Sequence, residues 1–105
     1  MARISLDGAS IRDWDSYHSV CARAFGFPDF YGRNRDAWID CVSSMRDREA
    51  MTGITLADDE ALVVEIASSD SVPDEMVGAL VRDAAAVNQR DEEIGQRPSL
   101  YLVFR

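Results

Sequence analysis

Asp36 and Asp40, two carboxylates set four residues apart, are the side chains here with the clearest capacity for chemistry. On a helix that spacing puts both on one face. There they can share a proton, hold a metal ion or meet a cationic partner. The first two options need companions that are missing. The chain has one histidine, His18, which a helical reading turns to the inner face of the first helix as a structural side chain. Cys21 and Cys41 carry no C-x-x-C spacing and read as small buried hydrophobes that stay reduced. No Gly-rich phosphate loop and no nucleophile motif occurs. The expectation is a binding protein rather than an enzyme, with no metal and no cofactor.

Charge points the same way. The 105 residues carry 11 Lys plus Arg against 19 Asp plus Glu, a net charge of −8. Such a surface repels nucleic acid and anionic lipid, and draws basic proteins toward it. A charge of this sign also keeps many proteins soluble, so alone it does not choose a partner. The length suits one compact domain, residues 1–105. The start, Met1-Ala2-Arg3-Ile4-Ser5-Leu6, has no long apolar run, and no stretch reaches the length of a membrane span. These features suggest a cytoplasmic protein, monomeric when free.

Three runs read as strands: Arg3 to Leu6, Ala61 to Ile66 and Leu100 to Phe104. The last two are almost continuously apolar, as in parallel strands covered on both faces. Three helices fall between them. The first has Trp14, His18, Cys21 and Phe25 on one face, Asp13 as its cap, and Gly26 and Pro28 at its end. The second starts at the cap residue Asn34 and runs to about Met45, with Ala37, Trp38, Cys41, Val42 and Met45 facing the core. The third, about Val72 to Ile94, carries Met76, Val77, Leu80, Val81, Ala84, Val87 and Ile94, with Pro73 in its first turn and Gly95 and Pro98 at its end. The order strand, helix, helix, strand, helix, strand fits three parallel strands joined by right-handed crossovers. Residues 46–60 read either as a short edge strand at Gly53 to Leu56 or as an ordered loop.

On the second helix Asp36, Asp40 and Ser43 lie opposite the core face, and Ile39 is expected beside them, away from the core. Asp36 gains from the positive helix start. Asp40 lies beyond that turn, and no Lys or Arg follows it three or four residues on, so the pair carries a small repulsive cost. Phe30 and Tyr31 stand just before the helix, and Gly32 is expected to make a turn that a Cβ would hinder. Carboxylates flanked by an aliphatic and aromatic side chains suit a contact surface. Spacing alone does not separate that from a solvated face with the aromatics in the core.

The segment 28–41 also resembles the barstar family, inhibitors of small ribonucleases. The family pattern P-[DE]-[FY]-Y-G-x-N-x-D-A-x-x-D-C is met by Pro28, Asp29, Phe30, Tyr31, Gly32, Asn34, Asp36, Ala37, Asp40 and Cys41. The resemblance continues through Ile4 to Gly8, Ile11, Leu62 to Ile66 and the closing strand, with residues 46–60 resembling an insertion. It implies an α/β fold, a three-stranded parallel sheet packed against helices in a single domain. It also implies a role: the second helix and its leading loop plug the active site of a small, basic, secreted ribonuclease, with carboxylates in place of RNA phosphates. Asp36 and Asp40 would then be the main contacts, with Phe30, Tyr31, Gly32, Asn34 and Ile39 on the same surface and Asp83 on the last helix. Arg33 and Arg35 depart from the family and reduce the net charge of residues 28–41 to −1, three Asp against two Arg. Either arginine could neutralise Asp36 or Asp40 within the free protein. The competing reading is an acidic interaction domain of the same fold that binds some other basic protein.

Overall fold

A computed structural model describes residues 2–105. Strand β1 (Ala2–Asp7) leads through a single 3-10 turn into helix α1 (Trp14–Phe25), followed by the short helix α2 (Arg35–Ser43), strand β2 (Leu62–Ala67), helix α3 (Asp74–Glu93) and strand β3 (Leu100–Phe104). The sheet is wholly parallel in the order β1-β2-β3. Leu6 lies in register with Ile66 and Phe104, and Ile4 with Val64 and Leu102. With the strands in this order, right-handed crossovers put both connections on one face. Accordingly α1 packs on β1, α3 packs on β3, and α2 leans on α3.

That topology corrects the expectation of a sheet covered on both sides. Only the face bearing Leu62, Val64 and Ile66 is covered by helices. The other carries Tyr101, about half exposed, and an ion-paired trio in which Arg3 and Arg105 both reach Glu65. Val63 is still buried because it is central, between Arg3 and Tyr101 in register. Continuous apolar sequence therefore marks the middle strand here, not a doubly covered sheet.

Helix α1 begins in a capping box: the Asp13 carboxylate accepts from the Ser16 N–H at 2.8 Å, and the Ser16 hydroxyl accepts from the Asp13 N–H at 3.0 Å. It ends at Gly26 in the left-handed conformation, φ 73°. A Cβ there would also meet the Gly53 backbone nitrogen at 2.7 Å. The inner face is Tyr17, His18, Cys21 and Phe25, whereas Trp14, expected on it, is almost half exposed. Helix α3 begins two residues later than expected, with Pro73 as its cap rather than within its first turn. Met76, Leu80, Ala84 and Val87 are buried, whereas Val81 and Ile94 face solvent.

Residues 46–60 form a loop, not an edge strand. It is pinned by Leu56 N–H to the Met45 carbonyl at 2.8 Å and by Gly53 N–H to the Phe25 carbonyl at 2.9 Å. The Arg46 side chain is buried at its root. It donates to the carbonyls of Glu60 and Arg97, both at 2.8 Å, and faces the buried Asp91 carboxylate at 3.7 Å. Asp91 in turn accepts from the Ser99 N–H and hydroxyl at 2.9 and 2.6 Å. One guanidinium thus ties the loop to the segment that enters β3. Arg46→Ala leaves Asp91 buried without its counter-ion and frees two carbonyls. A loss of about 3 kcal/mol is expected in urea unfolding; an unchanged midpoint would show that the loop holds without it.

Candidate functional site

Helix α2 is nine residues long, too short to persist alone, and its position comes from its cap and its neighbours. The Asn34 side chain accepts from the Ala37 N–H at 2.8 Å and donates to the Gly32 carbonyl at 3.3 Å, so it is spent on capping. The left-handed residue of the approach is Arg33, φ 53°, not Gly32. Gly32 matters through close approach: a Cβ there would come within 3.1 Å of the Asn34 amide nitrogen.

The expected contact residues divide into three groups. Asp36, Asp40 and Phe30 face solvent, Phe30 with 76% of its surface accessible. Asn34 and Gly32 shape the turn beneath them and are themselves exposed. Tyr31, Ile39 and Asp83 are buried. Asp36 has no ion pair among the described residues. Asp40 has a partner that sequence reasoning missed: the Arg90 guanidinium, reaching over from α3, lies 2.9 Å from its carboxylate and 3.4 Å from the Ser43 hydroxyl. Both members of this pair are more than half exposed, so the bond is weak and open to exchange.

Ile39 is 4% exposed and belongs to the core, which overturns its expected place beside the carboxylates. The reason is a second packing partner. The helix packs on α3, and its buried residues Trp38, Ile39, Cys41 and Val42 span a wider arc than the single stripe that spacing suggests. Asp83 is likewise turned inward, 3% exposed, with its carboxylate 2.8 Å from Arg35 Nε and 3.8 Å from Arg82 Nε. It is not presented to a visiting protein.

The two arginines of the contact loop do not neutralise Asp36 or Asp40. Arg33 turns back to α1, where it donates to the Asp15 carboxylate at 2.8 Å, the Asp15 carbonyl at 2.7 Å and the Ser19 hydroxyl at 3.0 Å. Arg35 turns to α3 and Asp83. The signal for these clamps was present on α3. Asp83 and Arg90 lie seven residues apart, so they share one face beside the apolar stripe of Leu80, Ala84 and Val87.

Behind the loop, the Tyr31 hydroxyl and His18 Nδ1 share a buried hydrogen bond of 2.7 Å, and the Tyr31 ring packs on Phe27 at 4.6 Å between centroids. Burial pushes the Tyr31 hydroxyl well above its ordinary range, so it remains an O–H. Burial, helped by the nearby Arg33 charge, lowers the His18 imidazole below its usual value. This pair anchors the loop to α1 and leaves Phe30 pointing out. Among the described residues, no three His, Cys, Asp or Glu side chains gather as a metal cage, and no helix is long and apolar enough to cross a membrane.

An acidic helix and loop standing on one layer of a parallel α/β sandwich define the class of protein: a small domain whose exposed chemistry suits the binding of a basic surface. The comparisons give the family. The model of the family described as "Barstar (barnase inhibitor)" matches residues 1–97, and the chain belongs to that family. A stretch of 47 residues is 36% identical to "Putative ribonuclease inhibitor YrdF" of Bacillus subtilis (strain 168), covering 45% of this chain and 52% of that protein. The match therefore spans about half the length of the relative.

Two outcomes follow from the geometry. Ile39→Ala should cost about 2–4 kcal/mol of stability by removing a buried side chain. A thermal melt within a degree of wild type would place that residue on the surface instead. The His18 imidazole should titrate below 6.5, by NMR. Because the unfolded imidazole takes its proton first as pH falls, His18's contribution to stability is full above about 6.5 and declines below it. An NMR midpoint above that value would contradict the buried neutral pair.

Proposed function

We propose that this protein inhibits a small, basic, secreted ribonuclease of the barnase type by seating α2 and the loop before it in the enzyme's catalytic cleft. The observation that carries the reading is the paired exposure of Asp36 and Asp40 on one face of α2, with Phe30 exposed on the loop before it and both loop arginines turned elsewhere. Each carboxylate offers two acceptor oxygens, as an RNA phosphate does. Arginine and lysine groups that bind phosphate would meet them with short, charge-assisted hydrogen bonds. Phe30, exposed on the loop before the helix, supplies a large apolar side chain of the kind that dominates interface energetics. Tyr31, Gly32 and Asn34 act from behind and within the turn, by holding its shape. Ile39 and Asp83 support the surface from inside.

The protein acts by occupation of a cleft, with no turnover, cofactor or metal of its own. It works as a monomer in the cytoplasm, where it would guard the producing cell. The negative charge of the chain speeds encounter with a cationic enzyme, and that rate falls as salt rises.

Titration of a purified barnase-type ribonuclease should abolish RNA cleavage at one equivalent. Asp36→Asn and Asp40→Asn should each weaken inhibition by about 2–5 kcal/mol, the cost of removing one partner of a buried, hydrogen-bonded charge pair. Arg90→Ala should strengthen it several-fold, because Asp40 is then released from its internal partner. Full ribonuclease activity at micromolar protein would overturn the reading in favour of an interaction domain for another basic protein.

A further inference from the structure

A cleft lies between the helices behind the acidic face. Helices α1, α2 and α3 enclose a cleft of about 220 Å3. Trp14 stands at its edge, almost half exposed, while Tyr17 and Trp38 line it and are only 2% and 1% exposed. Among the described residues the Tyr17 hydroxyl has no hydrogen-bond partner, and the Trp38 indole N–H meets no oxygen or nitrogen, only the neighbouring Cys21 sulfur. Buried polar groups are rarely left without a partner, and a bound water, ion or ligand is among the usual completions.

The charges around the cleft are also unbalanced. One carboxylate, Asp83, faces two guanidinium groups. Arg35 uses only Nε on it, which leaves both of its Nη groups without a protein partner among the described residues. Arg82 makes no closer contact than 3.8 Å to the same carboxylate, and its side chain is largely exposed. His18, which also lines the cleft, is held toward its neutral form by burial. What the cleft has to spare is therefore donors: two arginines and a tyrosine hydroxyl. Its one strong acceptor is already engaged.

We propose that this cleft binds a small organic oxyanion, a carboxylate or phosphate monoester. The anionic group would lie between Arg35, Arg82 and the Tyr17 hydroxyl, and the apolar part against Trp14. The volume is below the roughly 300 Å3 at which drug-sized sites begin, so the ligand is of fragment size. The same chemistry could come from a free metabolite or from an acidic side chain of a docked protein. The inference does not rest on ribonuclease inhibition. It concerns a separate concavity on the α3 side of α2, and its test uses the protein alone.

Trp14 and Trp38 are the only tryptophans in the chain, so its indole signals report on this cleft. The full-length protein is titrated at constant ionic strength with benzoate, phenyl phosphate and inorganic phosphate, with chloride as control. Blocked Phe-Glu dipeptide serves as a surrogate for a protein side chain, and methylguanidinium as a cationic probe. Tryptophan fluorescence and the Trp38 indole N–H resonance are followed. Saturable changes with the organic anions are expected, weakened about tenfold in Arg82→Gln, whose exposed side chain the fold does not need. Tyr17→Phe should weaken binding as well; if that variant does not fold, Arg82→Gln decides. Saturation by the dipeptide alone assigns the anion to a docked protein. Saturation by methylguanidinium, no saturation by any anion, or anion binding unaltered in Arg82→Gln overturns the proposal.

Discussion

The Asp83 carboxylate sits inside the helical layer with the Arg35 guanidinium across from it. An isolated buried carboxylate would be costly, and an unpaired arginine at the start of α2 would lie next to Asp36. Each resolves the other's difficulty. The bond fixes the start of α2 against the middle of α3, draws positive charge away from the exposed carboxylates, and sets the wall of the cleft between the three helices. The acidic face in front and the donor-rich cleft behind both follow from where this one ion pair lies.

A second pair runs in parallel and with reversed sense. Toward the end of α2, Asp40 reaches Arg90 on α3, an acid-to-base contact where the first is base-to-acid. The two differ in burial, and burial decides their roles. The inner pair has its carboxylate buried and its guanidinium half exposed, and it holds the helices in register. The outer one is solvated, contributes little to stability, and leaves Asp40 exchangeable. Tyr31 and His18 perform the matching task for the loop. Their buried hydrogen bond fixes the turn to α1, so that Phe30 alone among these aromatics is left in water.

The sheet explains why all of this chemistry falls on one side of the molecule. Three parallel strands in sequential order, joined by crossovers of one hand, collect every helix on one face. The opposite face is closed by short-range means, an Arg–Glu–Arg cluster over the central strand with Tyr101 beside it. The helical layer then carries the cleft between α1, α2 and α3 and the loop that leads into α2. Arg46, buried between the 46–60 loop and the segment entering β3, secures the rim of that layer.

The strands, the three helices, the caps at Asp13 and Asn34 and the family pattern at residues 28–41 were all legible in the sequence. Each depends on interactions within a few residues or on strong apolar runs. The exposure of Asp36 and Asp40 followed from the same local reasoning. Ile39, Trp14, Asp83 and Arg90 were not legible, because one helix has a face and not a neighbour until others pack against it. Contact with α3 widened the buried arc of α2 to include Ile39 and turned Asp83 from a surface acid into an internal counter-ion. The chain's own order thus determined which groups could face outward. Only the docking of α2 between α1 and α3 decided which of them do, since burial and ion pairing depend on distances between segments far apart in the sequence.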